Sequence, residues 1–334
     1  MARHDFASDN VAGAMPEVIE AIGRYNHGYA AAYGEDEVCA QASWLICALL
    51  DVDAEVRFAA SGTAANALTL AALAAPHEAV IAHQHSHVAT DETGAPGFFG
   101  AGMGVISLPG ASGRIDPAAF ERALAQPDNP HWQSPAAVSF TNATEFGAIY
   151  SAAELTALTG AARKAGLKIH IDGARLANAA ASGFDLKALA HKADIIILGG
   201  TKAGSTPTEA IVLIDPAARR RFGARLKHGG QLVSKSRFLA APWIGMLESG
   251  AWLTRAKHAN AMARRLAALA PFPIVHPVEA NAVFVDMDEA RLAALREAGW
   301  FAYRFIDGSV RFMCSWATSP ERVDELGAVL KSLA

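Results

Sequence analysis

The chain has 334 residues, 52% of them hydrophobic, and a formal net charge of −4 with a pI near 6.3. That is enough apolar material for one large α/β unit or two domains, and it leaves no basic stripe for nucleic acid and no charged disordered tail. Cys39, Cys47 and Cys314 lack metal-ligand spacing and read as reduced thiols of a cytoplasmic protein. Residues Met1 to Asp5 show no apolar leader, and no apolar run is long enough to span a bilayer, so neither a membrane nor a nucleic acid is expected as a partner.

In chain order, residues 1–34 hold few core formers. They carry Ser8-Asp9-Asn10, a short helix over 18–24 and three tyrosines among glycines, and are expected to form an arm lying across a neighbour. A helix follows over 37–50 and a strand over 55–60. Ser61-Gly62-Thr63 then opens an Ala/Leu-rich helix, in outline an anion site, because the first amides of a helix lack internal partners. A strand over 79–82 runs into His83-Gln84-His85-Ser86-His87. Gly100-Ala101-Gly102-Met103-Gly104 precedes the next strand (105–108) instead of following one, so it is no dinucleotide fingerprint. A loop over 127–135 leads to a strand at 137–140, and Ser151-Ala152-Ala153-Glu154 is a capping box. Strands follow at 167–171, ending at Asp172, and at 195–198, ending in Gly199-Gly200-Thr201-Lys202. Another strand runs over 210–214, with a helix from Pro216.

This alternation predicts an α/β fold with a mostly parallel sheet covered by helices. From about Pro242 the pattern changes to one long helix carrying Trp243 and Trp252. Strands near 274–275, 282–287 and 310–313 follow, with helices over 288–298 and 320–333: a smaller α+β unit. The expected division is a large domain, 1–250, and a small one, 251–334.

Ligands of open α/β sheets bind at the carboxyl ends of the strands. Gly62-Thr63, His87, Asp172 and Lys202 fall at such ends, and Asp172 precedes Lys202 by thirty residues, about one βαβ unit. Burial disfavours an unpartnered ammonium, and a neutral amine attacks carbonyls to form a Schiff base. A helix N-terminus for phosphate, a flat side chain, a carboxylate and a lysine are the set that pyridoxal phosphate requires.

These motifs resemble the low-specificity threonine aldolases, fold-type-I pyridoxal-phosphate enzymes of the β-eliminating lyase group, over nearly the whole chain. The resemblance rests on Phe6-Ala7-Ser8-Asp9, Tyr33-Gly34-Glu35-Asp36, Ser61-Gly62-Thr63-Ala64-Ala65-Asn66, and His87 with Glu92 and Gly94. It rests further on His170-Ile171-Asp172-Gly173-Ala174-Arg175-Leu176, Gly199-Gly200-Thr201-Lys202 and Val310-Arg311-Phe312. It implies a Schiff-base Lys202, a stacking His87, Asp172 at the ring nitrogen, and Gly62 and Thr63 at the phosphate, with His87 or a bound water both open as the base for the β-hydroxyl. Ser8, Arg175 and Arg311 would bind the substrate carboxylate, and Tyr33 would reach an active site. The implied reaction cleaves β-hydroxy-α-amino acids to glycine and an aldehyde. The implied assembly is a homo-oligomer, a dimer or dimer of dimers, with shared sites.

The chain departs from the family at three places. Thr141-Asn142-Ala143-Thr144-Glu145 stands where many members carry Glu-Asn-Thr-His-Asn, which sets Thr144, across a one-residue gap, at the histidine implicated at the substrate hydroxyl. Thr144 is therefore expected beside the substrate, in a roomier pocket that admits a phenyl group. Asp91 replaces a common aromatic, and His228-Gly229-Gly230-Gln231-Leu232 replaces Gly-Gly-Gly-Met-Arg. Another reaction of the same cofactor (β-elimination, transamination or racemisation) is the nearest alternative. From other classes come a metal-dependent hydrolase using His83, His85 and His87 on one strand face, and a non-catalytic binding protein. Bound-metal analysis and a visible spectrum separate these.

Overall fold

A computed structural model describes residues 2–127 and 129–334. Met1 and Asp128, which belong to the N-terminal and 127–135 readings above, lie outside the described residues. The large sheet contains β1 (Glu55–Ala59), β2 (Glu78–His83), β3 (Gly104–Leu108), β4 (Ser134–Thr141), β5 (Lys168–Gly173), β6 (Ile195–Gly199) and β7 (Glu209–Leu213). Their spatial order is β1-β7-β6-β5-β4-β2-β3. The pairs β2–β3, β2–β4, β4–β5 and β5–β6 are parallel, and β7 is antiparallel to both of its neighbours. The cause is chain length: residues 200–208 are too few for the crossover a parallel neighbour needs, so the chain turns back as a hairpin. The expected α/β class with a mostly parallel sheet is the observed one.

Burial follows the sequence pattern. Ile195, Ile196, Ile197 and Leu198 are buried on both faces of the sheet, and each side chain so buried contributes roughly 1.5–3 kcal/mol. The helix Glu37–Leu50 starts where Asp36 accepts the Cys39 N–H at 2.9 Å. The capping box at Ser151 and Glu154 is formed in both directions. A second sheet pairs β8 (Ala282–Val285) with β9 (Val310–Met313), antiparallel. Its core joins Val283 and Phe312 to Leu266, Leu292 and Leu326 of the surrounding helices.

Three local expectations need correction. The long helix is two, Arg237–Glu248 and Ala251–Leu269, broken at Gly250, whose φ of +72° suits glycine. The strand near 274–275 is reduced to a bridge between Ile274 and Val285. The arm is not poor in core. Phe6, Met15, Val18 and Ala21 are buried in their own chain, and Arg3 bridges Trp300. The Met15 N–H donates to the Gly204 carbonyl at 2.8 Å, and Phe6 packs on Trp300. Isolated apolar residues among polar ones show no periodicity, yet each fills a separate gap. Tyr29, by contrast, is fully exposed.

Candidate active site

The carboxyl ends of β2, β4, β5 and β6 converge on a cavity of about 300 Å³, lined by Ser61, Gly62, Thr63, Asn66, His87, Glu145, Asp172, Lys202 and Glu209 among others. A second chamber of about 540 Å³ shares Asn10, His87, Glu145 and Lys202 with it and adds Ser8, Asp91, Arg175, Tyr303 and Arg311. Four of the sequence-predicted residues, Gly62, Thr63, His87 and Asp172, thus meet around Lys202. Ser8, Arg175 and Arg311 stand across the adjoining chamber.

One wall is the start of the helix Gly62–Leu73. Ser61 caps it by accepting the Ala64 N–H at 3.3 Å, and the positive end of the helix faces the cavity. Opposite runs a chain of polar contacts. The Asn66 amide donates to Asp172 Oδ2 at 3.1 Å and to Glu92 Oε1 at 2.8 Å, and the same Glu92 oxygen meets His87 Nδ1 at 2.8 Å. The hydrogen bond to Glu92 raises the His87 pKa against the opposing pull of burial, and burial raises that of Glu92. The other Asp172 oxygen accepts the Ala174 N–H at 3.1 Å. Two residues before Asp172, buried His170 lies between Ser139 (2.9 Å) and Thr69 (3.2 Å). Burial lowers its pKa to about 4, so at neutral pH it is an uncharged prop for the strand.

Lys202 is half-buried, three residues past β6. Because β5 and β6 pair in parallel, Asp172 stands opposite Ile197, and the strand ends bring the carboxylate and the lysine to one cavity. Because β7 is reversed, its first residue, Glu209, also arrives at this edge, in register with Gly199 and Ala59. Its Oε2 accepts the Gly200 N–H at 2.9 Å, and burial raises its pKa to about 7.

Arg175 is buried and bound at both Nε and Nη2 by Asp9, while its Nη1 lies 3.7 Å from Glu145. Burial, the largest single influence, would lower the Arg175 pKa, but the charge and hydrogen bonds of Asp9 together with the charges of Glu145 and Asp172 outweigh it and the pKa is raised. Conversely Arg175 holds Asp9 down at about 2 despite its burial. Arg311 is also buried, and its Nη2 donates to the Tyr303 hydroxyl. Its Nε has no hydrogen-bond partner among the described residues. Burial first, and then the charge of Arg175, lower its pKa.

Two predicted residues lie elsewhere. Tyr33 is 44% exposed and lines a different pocket with Cys39, Arg57 and Ser236 of its own chain. Thr144 does not border either chamber. It is 1% exposed, its hydroxyl donates to the Ser112 carbonyl at 2.8 Å and it accepts the Ala148 N–H at 3.1 Å. The neighbouring side chain, Glu145, enters the site instead. Sequence reading also missed Asp9, Asn66 and Glu209. Asn66 stood in the quoted phosphate motif and Asp9 beside Ser8. Glu209 gave no signal, because only a reversed strand brings a first residue to this edge.

The three-histidine face is not formed. β2 ends at His83, so the alternation of side chains stops there. Both nitrogens of His83 are used, one toward the Gly110 carbonyl (3.1 Å) and one by the His85 N–H (3.1 Å), and His85 turns its ring to Phe146. Among the described residues no group of three His, Cys, Asp or Glu side chains could hold a metal ion.

Known proteins carry the same pattern. The profile of the family described as Beta-eliminating lyase matches residues 5–290. A protein of Pseudomonas sp. (strain NCIMB 10558), named low specificity L-threonine aldolase, is 43% identical over 98% of this chain and 97% of its own. One of the same name from Pseudomonas aeruginosa is 44% identical over 96% and 95%. Among solved structures, a threonine aldolase of Leishmania major superposes with a TM-score of 0.92 at 30% identity, covering 98% of both chains.

Proposed function

The chain belongs to the β-eliminating lyase family, among the low specificity L-threonine aldolases, and from that premise we propose that it is a pyridoxal-phosphate lyase. Its reaction would split β-hydroxy-α-amino acids, such as threonine, allo-threonine or phenylserine, into glycine and an aldehyde. The observation that carries the reading is the facing of Asp172 and Lys202 from adjacent parallel strands, with a helix N-terminus closing the same cavity.

The donor set fits the cofactor. The Gly62 and Thr63 amides suit a phosphate, the Asp172 carboxylate suits a protonated ring nitrogen, the His87 ring suits a flat heterocycle, and the Lys202 amine suits an aldehyde carbon. When bound, the cofactor supplies an electron sink for the pair released at Cα. The protein's own residues do the rest. Arg311, whose Nη2 donates to Tyr303 and whose Nε is left without a partner among the described residues, offers a planar guanidinium to a carboxylate, a geometry Lys lacks. Ser8 adds a hydroxyl to the same chamber. Asn66 ties Asp172, Glu92 and His87 into one rigid set, so the carboxylate and imidazole keep their spacing. Asp9 immobilises Arg175 as a charge-compensated wall.

The same reading includes a homo-oligomer with shared sites. Tyr33 lies outside its own chain's cavity and is exposed, the disposition of a residue serving a neighbouring copy. A cytoplasmic setting fits three cysteines that are all free. The test is direct. The purified protein should be yellow and release glycine from threonine, and borohydride should fix the chromophore to Lys202. A Lys202→Ala protein that turns over normally with added cofactor would show the reading wrong.

A further inference from the structure

We propose that Glu145 is the catalytic base that takes the proton of the substrate's β-hydroxyl; this rests on the aldolase reading above. β4 lies between β2 and β5, with Thr141 opposite Asp172, so the segment after it leaves the sheet edge beside the cavity. Thr144 is held by bonds to Ser112 and Ala148, and Gly147 at φ +75° lets the chain turn back. With Thr144 anchored inward, its neighbour Glu145 points into the site. It lines both the Lys202 cavity and the Arg311 chamber and is 9% exposed. A substrate with its carboxylate on Arg311 and its Cα near Lys202 occupies the space that Glu145 borders.

The other acceptors at this wall are less free. His87 gives Nδ1 to Glu92, and in the reading above its ring is taken up against the flat heterocycle. Asp91 is exposed and already accepts the Thr90 hydroxyl at 2.8 Å. Glu145 has Arg175 at 3.7 Å as its ion-pair partner among the described residues, and Arg175 is itself already bound at two nitrogens by Asp9. An ionised carboxylate accepts and does not donate, which is what the hydroxyl proton needs. In the step, Glu145 takes the hydroxyl proton and the O–H electrons form the aldehyde C=O. The Cα–Cβ bond breaks, its pair passes to Cα and the electron sink, and Cα takes one proton from solvent before glycine leaves, which balances the one that Glu145 removes. Glu145 then returns its proton to solvent.

The experiment uses the cofactor-loaded protein and its Glu145→Gln and Glu145→Asp variants. Three quantities are read: cleavage of threonine and phenylserine, exchange of the α-hydrogen of glycine in deuterium oxide, and glycine affinity from the absorbance change on titration. Glycine has no β-hydroxyl, so its exchange bypasses the proposed base. Glu145→Gln should cut kcat for cleavage roughly 10²- to 10⁴-fold. Glycine exchange and affinity should stay within about threefold, the scale of a lost neutral contact. Glu145→Asp should recover part of the cleavage. Cleavage within threefold of wild type in Glu145→Gln, or a parallel loss of glycine exchange, would overturn the assignment. A wild-type protein that exchanges glycine but cleaves no β-hydroxy amino acid would instead overturn the aldolase reading itself.

Discussion

Asp9 grips Arg175 through two hydrogen bonds, 2.7 Å to Nε and 3.0 Å to Nη2, although the residues are 166 positions apart and both are buried. Removing one partner of such a pair leaves an uncompensated charge and costs about 3–5 kcal/mol. Asp9→Ala is expected to lower the melting temperature well beyond a surface substitution. The pH dependence has a definite sign. The carboxyl is held down at about 2 in the folded state despite its burial, against an ordinary value of 3.8 in the unfolded chain. Its contribution is therefore complete above pH 3.8 and lost as pH falls through about 2. Acid melts of wild type and Asp9→Ala should converge in that window. A gap unchanged from pH 6 down to pH 2 would contradict the pairing.

With Arg175 so occupied, Arg311 is the receptor that the proposed reaction assigns to the substrate carboxylate. Arg311→Lys should cost roughly 2–5 kcal/mol in kcat/KM, because the fork geometry is lost. Melting curves should separate this from misfolding. Steady-state kinetics unchanged in a stable Arg311→Lys protein would reassign the receptor.

Asp172→Asn should keep the cofactor bound through Lys202 and the helix N-terminus, although an amide has one acceptor oxygen and keeps only one of the bonds from Asn66 and the Ala174 N–H. It should cut turnover by about 10²–10⁴, the scale of misplaced proton chemistry. The check is the ratio of bound chromophore to kcat. Near-native turnover would reduce Asp172 to an ordinary turn residue.

Thr144 is expected to matter for stability alone. Thr144→Val removes its bonds to Ser112 and Ala148 and strands the N–H of buried Ala148, a cost of about 1–3 kcal/mol. The ratio of kcat/KM for threonine and allo-threonine should not move. A changed ratio with an unchanged melting temperature would put this side chain back beside the substrate.

Glu209 should give the cofactor-free protein a stability that declines as pH rises. Its folded pKa is raised from 4.5 to about 7, so its contribution is complete below pH 4.5 and lost as pH passes about 7. Glu209→Gln, which can still accept the Gly200 N–H, should flatten this decline. Its melting temperature should exceed that of wild type at pH 8 by more than at pH 5. Parallel curves would mean that the carboxyl titrates in its ordinary range.

The elements and half of the site were legible because their causes are local. A run such as Asp194-Ile195-Ile196-Ile197-Leu198 has one way to hide its side chains. A thirty-residue spacing is one βαβ unit, and the strands that end near Asp172 and Lys202 are indeed adjacent and parallel. What the tertiary structure alone decided depends on contacts between distant segments. Phe6 found a gap against Trp300, which no periodicity announces. Asp9 neutralised Arg175 from 166 positions away in the chain and so distinguished the two arginines. A loop too short for a crossover reversed β7 and delivered Glu209 to the catalytic edge. The bonds that turn Thr144 inward put Glu145, one residue on, into the site. Successive side chains in an irregular loop have no fixed period, so partners contributed by residues 112 and 148 settle which of two neighbours faces the ligand.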